Sequence, residues 1–248
     1  MARSANAVAT ARFDRVHPVP AYKLVAKAIQ DQIETSRLQP GDPLPTETTL
    51  AEQFGVNRST IREGIRLLEQ SGLLDRDGKR LIVTLPHYMD LASRASRALV
   101  MHQVTFRELW EASMVSEPLI AALAADRADA AALIEMERNI AAAAVATDRL
   151  NDFIDLDIAF HELVARAAGN RVLMLAREPI GLLFKPAGET ILPRLGTHGR
   201  VVDAHRQILA AIGRGDRIEA QRWMDRHMAD FRRGYEAAGA DLDSPLYG

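Results

Sequence analysis

Cysteine is missing altogether from the 248 residues. That absence excludes a disulfide framework, thiolate zinc sites, iron–sulfur clusters and cysteine catalysis. Aromatic residues are scarce, at 5%. Long hydrophobic runs are missing as well. The longest small-apolar stretch, Ile140 to Ala146, falls far short of the roughly 20 residues that span a bilayer. No continuous apolar segment precedes Arg12, so no secretion signal is read, and the expected location is cytoplasmic with no membrane partner. Neither sign of charge dominates: 31 Lys+Arg stand against 33 Asp+Glu, a formal charge of −2. This excludes a chain coated in basic residues, but it leaves room for one local basic patch.

What is present divides into two halves. Residues 1–86 hold 12 Lys+Arg and 10 Asp+Glu, a balance of +2, whereas residues 87–248 hold 19 and 23, a balance of −4. Of forty alanines, 31 lie from Ala92 onward, which tilts that part toward helix. The chain is therefore read as a flexible tail over 1–20, a first domain over 21–86, a linker over 87–92 and a second domain over 93–240.

In the first domain, Leu24, Val25, Ala28, Ile29 and Ile33 carry the one-face spacing of an amphipathic helix from Tyr22 to Arg37. The proline-rich "LQPGDPLP" (Leu38–Pro45) breaks it. Thr46 is placed to cap a short helix ending at Gly55, and Asn57 to cap the next, which Gly72 stops. Two short helices joined by a glycine-containing turn predict a helix-turn-helix. On the second helix Arg58, Arg62 and Arg66 fall at i, i+4 and i+8, while Ile61, Ile65, Leu67 and Leu68 supply the buried side. With Ser59 and Thr60 near its N-terminus, such a helix suits the major groove. The stretch "LLDRDGKRLIVT" then predicts a β-hairpin with its turn at Asp77-Gly78 and with Lys79 and Arg80 at a basic tip. The competing structural reading makes the three arginines a solvated stripe paired with Glu63 and Glu69.

The segment "LPTETTLAEQFGVNRSTIREGIRLLEQSGLL" resembles the winged helix-turn-helix of GntR-family transcription regulators, over about Tyr22–Thr84. The resemblance implies operator binding by Arg58, Thr60 and Arg62 in the major groove, with Gly78 and its neighbours in the wing. One position departs from the pattern. Relatives usually carry Arg after the residue matching Glu47, and this chain has Thr48, so Lys79 or Arg80 would have to compensate.

The second domain shows helical patterns and almost no strand alternation. Expected spans are His87–Val100, Thr105–Arg127, Ala130–Thr147, Leu150–Ala168, Arg171–Ile191, Val201–Arg214 and Ile218–Ala238. The fold class is thus mainly α: an N-terminal winged helix-turn-helix with a small hairpin wing, and a C-terminal antiparallel helical bundle. Asp157 and His161 are four apart and share a helical face. His205 and His227 lie on two later helices, so three helices could converge on one ion. Three imidazoles and a carboxylate suit Zn²⁺, Ni²⁺, Mn²⁺ or Fe²⁺. Each histidine alone is more ordinarily a surface or satisfied core residue. Asp203 and Glu162, beside His205 and His161, are either supporting partners or simple surface charge.

The pattern "DxxFH…AAGN", a His before "ILAAI" and a late-helix His resemble the ligand-binding FCD domain of the FadR subfamily, over roughly Ser93–Ala238. The resemblance implies a metal on Asp157, His161, His205 and His227, an organic-acid effector and a homodimer. Many relatives carry Arg four residues before the residue matching Glu117, where it clamps an effector carboxylate. Here Ser113 stands there, so either the metal alone anchors the acid, or Arg149 or Arg177 substitutes, or the ligand differs. Ser113, Glu117 and Arg149 are the effector-site candidates. The expected function is a ligand-responsive regulator, a repressor by family habit, binding double-stranded operator DNA. The alternatives are a metalloenzyme, because a three-His, one-Asp ion with open positions also activates water, and a purely structural oligomer.

Overall fold

The computed structural model describes residues 18–78, 80–85, 88–146, 149–195 and 198–247. Most of the expected tail, Lys79 of the wing, and Pro86 and His87 at the domain boundary lie outside the described residues. The chain forms two compact units, Met1–His87 and Tyr88–Gly248.

The first unit runs α1 (Ala21–Glu34), α2 (Glu47–Phe54), α3 (Arg58–Gln70), β1 (Leu74–Asp77) and β2 (Arg80–Val83). Local chemistry sets the helix starts. Thr46 and Asn57 both cap, accepting the backbone N–H of Thr49 and Thr60 on their side-chain oxygens. Val25 and Ile29 of α1, Leu50 of α2, Ile61, Ile65 and Leu68 of α3, and Leu74 and Val83 of the hairpin make one core. Leu24 and Leu67, expected on the buried faces, are exposed instead. On α3 the core positions fall at i, i+4 and i+7, and Leu67 is turned off that stripe.

The antiparallel register pairs Asp77 with Arg80, so the two-residue loop opens at Gly78, one position later than expected. Gly78 has φ +60°, a conformation that a two-residue hairpin loop demands and glycine adopts freely. The proline-rich stretch also does more than break a helix. Gly41 and Leu44 donate to the carbonyls of Val83 and Leu81 at 2.8 Å each, extending the hairpin by one irregular edge. Pro43, which has no N–H to offer, sits on that edge, where a missing donor is tolerated.

The second unit contains α4 (Tyr88–Met101), α5 (Phe106–Arg127), α6 (Ala130–Val145), α7 (Leu150–Ala167), α8 (Arg171–Gly181), α9 (Lys185–Leu195), α10 (His198–Gly213) and α11 (Arg217–Ala237). Two boundaries differ from the sequence expectation. Helix α4 starts at Tyr88, so the segment expected as a linker over 87–92 is helical from there. The single helix expected over Arg171–Ile191 is two. Pro186 lacks an N–H, and its ring would strike the carbonyl of Leu182, which disfavours one continuous helix there, although Pro118 and Pro179 are accommodated inside α5 and α8.

Alanine allows close packing in this unit. Ala121 and Ala124 of α5, Ala211 of α10 and Ala220 of α11 are fully buried, together with Ile120, Met136, Phe160 and Met224. These small faces bring α5, α7, α10 and α11 near enough to share side chains at one point. No helix among the described residues is long and apolar enough to cross a membrane.

Candidate DNA-reading face and metal centre

In the first unit, Arg58, Ser59, Arg62 and Arg66 are exposed on α3, and Thr60 is half-buried. The arginines do not pair with Glu63 and Glu69 as the solvated-stripe reading requires. Arg62 Nε donates to Glu47 Oε2 at 2.7 Å, and Arg58 lies 3.7 Å from the same oxygen. Glu47 therefore lies between two guanidinium groups, and Arg62, through its hydrogen bond, holds its carboxyl below the usual carboxylate range. Glu69 is engaged by Arg76 of the wing at 3.0 Å. Ser59 and Thr60 both spend their hydroxyl protons on Asn57 Oδ1, at 2.7 and 2.8 Å. They retain lone pairs for a donor such as a base amino group. Arg80 and Thr48 are exposed, and Arg58, Arg76 and Arg80 border one depression beside Glu47.

In the second unit, Asp157 and His161 project from one face of α7, His205 from α10 and His227 from α11. One ligand atom from each lies within 4.8 Å of all the others. The three histidines are 1–7% exposed, and the Asp157 side chain is a quarter exposed. His205 stacks on Phe160 at 3.8 Å between ring centroids, which fixes its plane. His161 Nε2 and His227 Nε2 stand 3.2 Å apart. His205 Nε2 and Asp157 Oδ1 are also 3.2 Å apart, but misaligned. Both atoms, and His205 Nδ1, are buried with no hydrogen-bond partner among the described residues.

Orphaned buried polar atoms are costly, and converging lone pairs more so. A divalent cation would take up the converging lone pairs and partner Asp157 Oδ1 and one ring nitrogen of His205, so this donor set fits one. Protonation fits less well. Burial, then the neighbouring His205 and His161, push the His227 imidazole down to about 3. Burial also lowers His205, although Asp157 works against it. Neutral imidazoles are the form that ligates a metal. Asp157 is held well below its ordinary value because the imidazoles, His205 foremost, outweigh its burial.

Behind His161 lies a second buried group that sequence reasoning assembled only in part. Glu117 of α5 accepts from His161 Nδ1 at 3.1 Å on one oxygen and from Arg177 Nε of α8 at 2.8 Å on the other. Burial favours its protonated form, but Arg177 and His161 override that and hold it down to about 2. Arg177 is 4% exposed, and its Nη1 lies 3.4 Å from Glu178. A Cβ at Gly181 would stand 2.8 Å from Arg177 Nη2, so glycine there is what leaves room for the guanidinium.

The other candidates are placed elsewhere. Arg149 is exposed and paired with Asp152, away from the cluster. Asp203 pairs with Arg206 and Glu162 with Arg166, both on the surface. Ser113 is buried one turn before Glu117. The available signal for Glu117 was its position on the buried stripe with Ile120, Ala121 and Ala124, where a carboxylate demands a partner.

Two small cavities of about 40 Å³ each, and one open surface depression, adjoin the cluster. One cavity is bordered by Glu117, Asp157, His161, Arg177, Gly181 and His227. The other is bordered mainly by Phe153, Ile154, Ile191, Leu192 and Val201. Asp157, Ile158, Phe184, His227 and Phe231 border both cavities. The depression, beside His227, is bordered by the polar side chains of Arg200, Asp203, Gln207, Arg226 and Arg233.

Comparison with known proteins matches both halves of the chain. Residues 21–82 match the bacterial regulatory proteins of the gntR family, and residues 108–230 match the FCD domain. The chain is similar to the HTH-type transcriptional regulator LutR of Bacillus subtilis, at 27% identity over 80% of this chain and 93% of that one. It is similar to the HTH-type transcriptional repressor NanR of Cronobacter sakazakii, at 26% identity over 83% and 82%. Among solved structures it is similar to a GntR protein of Streptococcus agalactiae, with TM-score 0.58, 26% identity, and coverage of 86% and 99%.

Proposed function

We propose that this chain, which belongs to the GntR family of transcriptional regulators and carries an FCD domain, is a repressor released from its operator by a small carboxylic acid. The acid binds at a metal centre in the second domain. The relatives are regulators and not enzymes, which sets the metalloenzyme reading aside. Chemistry agrees: Glu117, the carboxylate nearest the ligands after Asp157, is tied to Arg177 and too acidic to serve as a base near neutral pH.

The observation that carries the reading is the cluster itself, three buried imidazoles and Asp157 converging with unpartnered atoms. Asp157, His161, His205 and His227 would hold the ion, of zinc, nickel, manganese or iron type. The bound ion would supply Lewis acidity toward a carboxylate oxygen. Glu117 orients His161 by accepting from Nδ1, which turns the Nε2 lone pair toward the cluster. Arg177 neutralises Glu117 and borders the same cavity as His161 and His227, so it is the guanidinium within reach of an acid there in a chain that has Ser113 in place of the family's arginine.

Residues 21–86 form the DNA-binding domain in this reading. Arg58, Ser59, Thr60, Arg62 and Arg66 face the major groove, and the hairpin turn at Gly78 is the wing tip. One such head reads only a short half-site, so the working species is a homodimer on a two-fold operator in the cytoplasm.

Metal analysis of the full-length protein tests the centre. After dialysis against each candidate ion, wild type retains about one equivalent per chain, and His205→Ala and Asp157→Ala retain almost none. Equal metal content in all three would overturn it.

A further inference from the structure

The cavities beside the cluster differ in chemistry, and that difference bears on the identity of the acid. We infer that the sensed ligand is a monocarboxylate with an alkyl or aryl body, and not a sugar acid or a short dicarboxylate. This rests on the metal-centre reading above and adds the ligand class.

The polar end is the cavity where Arg177 and the metal-ligand side chains converge. One carboxylate satisfies that end. Beyond Asp157 and His227 the second cavity turns apolar, with Phe153, Ile154, Ile191, Leu192 and Val201 on its walls. Its remaining charged groups, Arg200 and Asp230, are tied to each other at 3.6 Å. Arg200 is also 60% exposed, which keeps its charge in water.

A row of hydroxyls, or a second carboxylate, would enter this compartment without hydrogen-bond partners and lose its hydration. An apolar body gains there, because each buried methylene multiplies affinity about fourfold. A site that combines an apolar lining with a few convergent polar groups selects ligands of that same division. The shared border of the two cavities sets the order of the groups: carboxylate at the cluster, body toward α9 and α10.

Calorimetric titration of the full-length, metal-loaded protein tests this with five probes: lactate, malate, gluconate, 3-phenyllactate and 2-hydroxyoctanoate. The inference predicts that the last two bind at least tenfold more tightly than the first three. Val201→Phe, which fills the apolar compartment from a half-buried position, should collapse that ratio. The wild-type series decides the matter even if the variant folds poorly. Equal or tighter binding of lactate, malate or gluconate overturns the ligand class and leaves the sensing site standing. Heat from none of the five overturns both. A distal carboxylate read by Arg200 would show as malate ranking with phenyllactate, which also contradicts the inference.

Discussion

Arg177 Nε donates to Glu117 at 2.8 Å, and the other oxygen of Glu117 receives His161 Nδ1 at 3.1 Å. One buried guanidinium on α8 thus governs, through a carboxylate on α5, the orientation of a histidine on α7. With Nδ1 donating, the Nε2 lone pair of His161 is the one turned toward Asp157, His205 and His227.

Removing the charge while keeping the shape isolates that role. Glu117→Gln is expected to weaken metal binding about 10–100-fold while the helical content is unchanged. Competition against a chromophoric chelator measures it. An unaltered metal affinity would mean that His161 is positioned by packing alone.

Loss of the guanidinium acts on stability as well. Arg177→Met leaves Glu117 buried without its cation and is expected to cost about 3–5 kcal/mol in urea unfolding. The double variant with Glu117→Gln should recover part of this, because the uncompensated charge is gone. A single variant as stable as wild type would contradict the buried pair as described.

Arg62 is held by Glu47 and directed along the exposed face of α3. Arg62→Ala is expected to lower operator affinity about tenfold or more and to relax sequence preference. Arg66, further along the stripe, should matter mainly through charge, so Arg66→Ala weakens all duplexes alike and flattens the salt dependence by about one ion. Anisotropy titrations on selected and scrambled duplexes at several salt concentrations separate the two. Identical losses on both duplexes for Arg62→Ala would remove it from base reading.

Much of this was legible in the sequence because it is periodic or local. Caps at Thr46 and Asn57, the arginine spacing on α3 and the i, i+4 relation of Asp157 and His161 follow from helix geometry alone. Convergence of His205 and His227 on that pair was an expectation that the packing of α7, α10 and α11 satisfies geometrically. What escaped was non-local. Nothing in the spacing says that Arg177, 60 residues from Glu117, meets it in the core, or that Glu47 takes Arg62 in preference to a neighbour on α3. Of the two readings open for Glu162 beside His161 and Asp203 beside His205, supporting partner or surface charge, the second holds, because adjacent residues on a helix diverge. The break between α8 and α9 was signalled by Pro186, which follows the apolar Leu182–Phe184 and Lys185.

Metal also has a thermodynamic signature independent of DNA. Stripping the protein with a chelator is expected to lower the melting temperature, and re-addition of the ion to restore it. Occupancy at about a thousandfold excess over Kd corresponds to about 4 kcal/mol. Scanning calorimetry of wild type and His161→Ala measures the difference. A melting temperature insensitive to chelator in wild type would leave the cluster without an ion.

Coupling between the sensing cluster and the DNA head is the central claim, and linkage makes it measurable from either side. Operator duplexes selected from a random pool by the wild-type protein provide the probe. Their affinity is measured with metal-loaded protein, with and without saturating 3-phenyllactate, and again with His205→Ala. The account predicts that the acid weakens operator binding about fivefold or more in wild type and has no effect in the variant. It predicts further that the operator weakens acid binding by that same factor. Operator affinity unchanged by the acid in the metal-loaded wild type would contradict it.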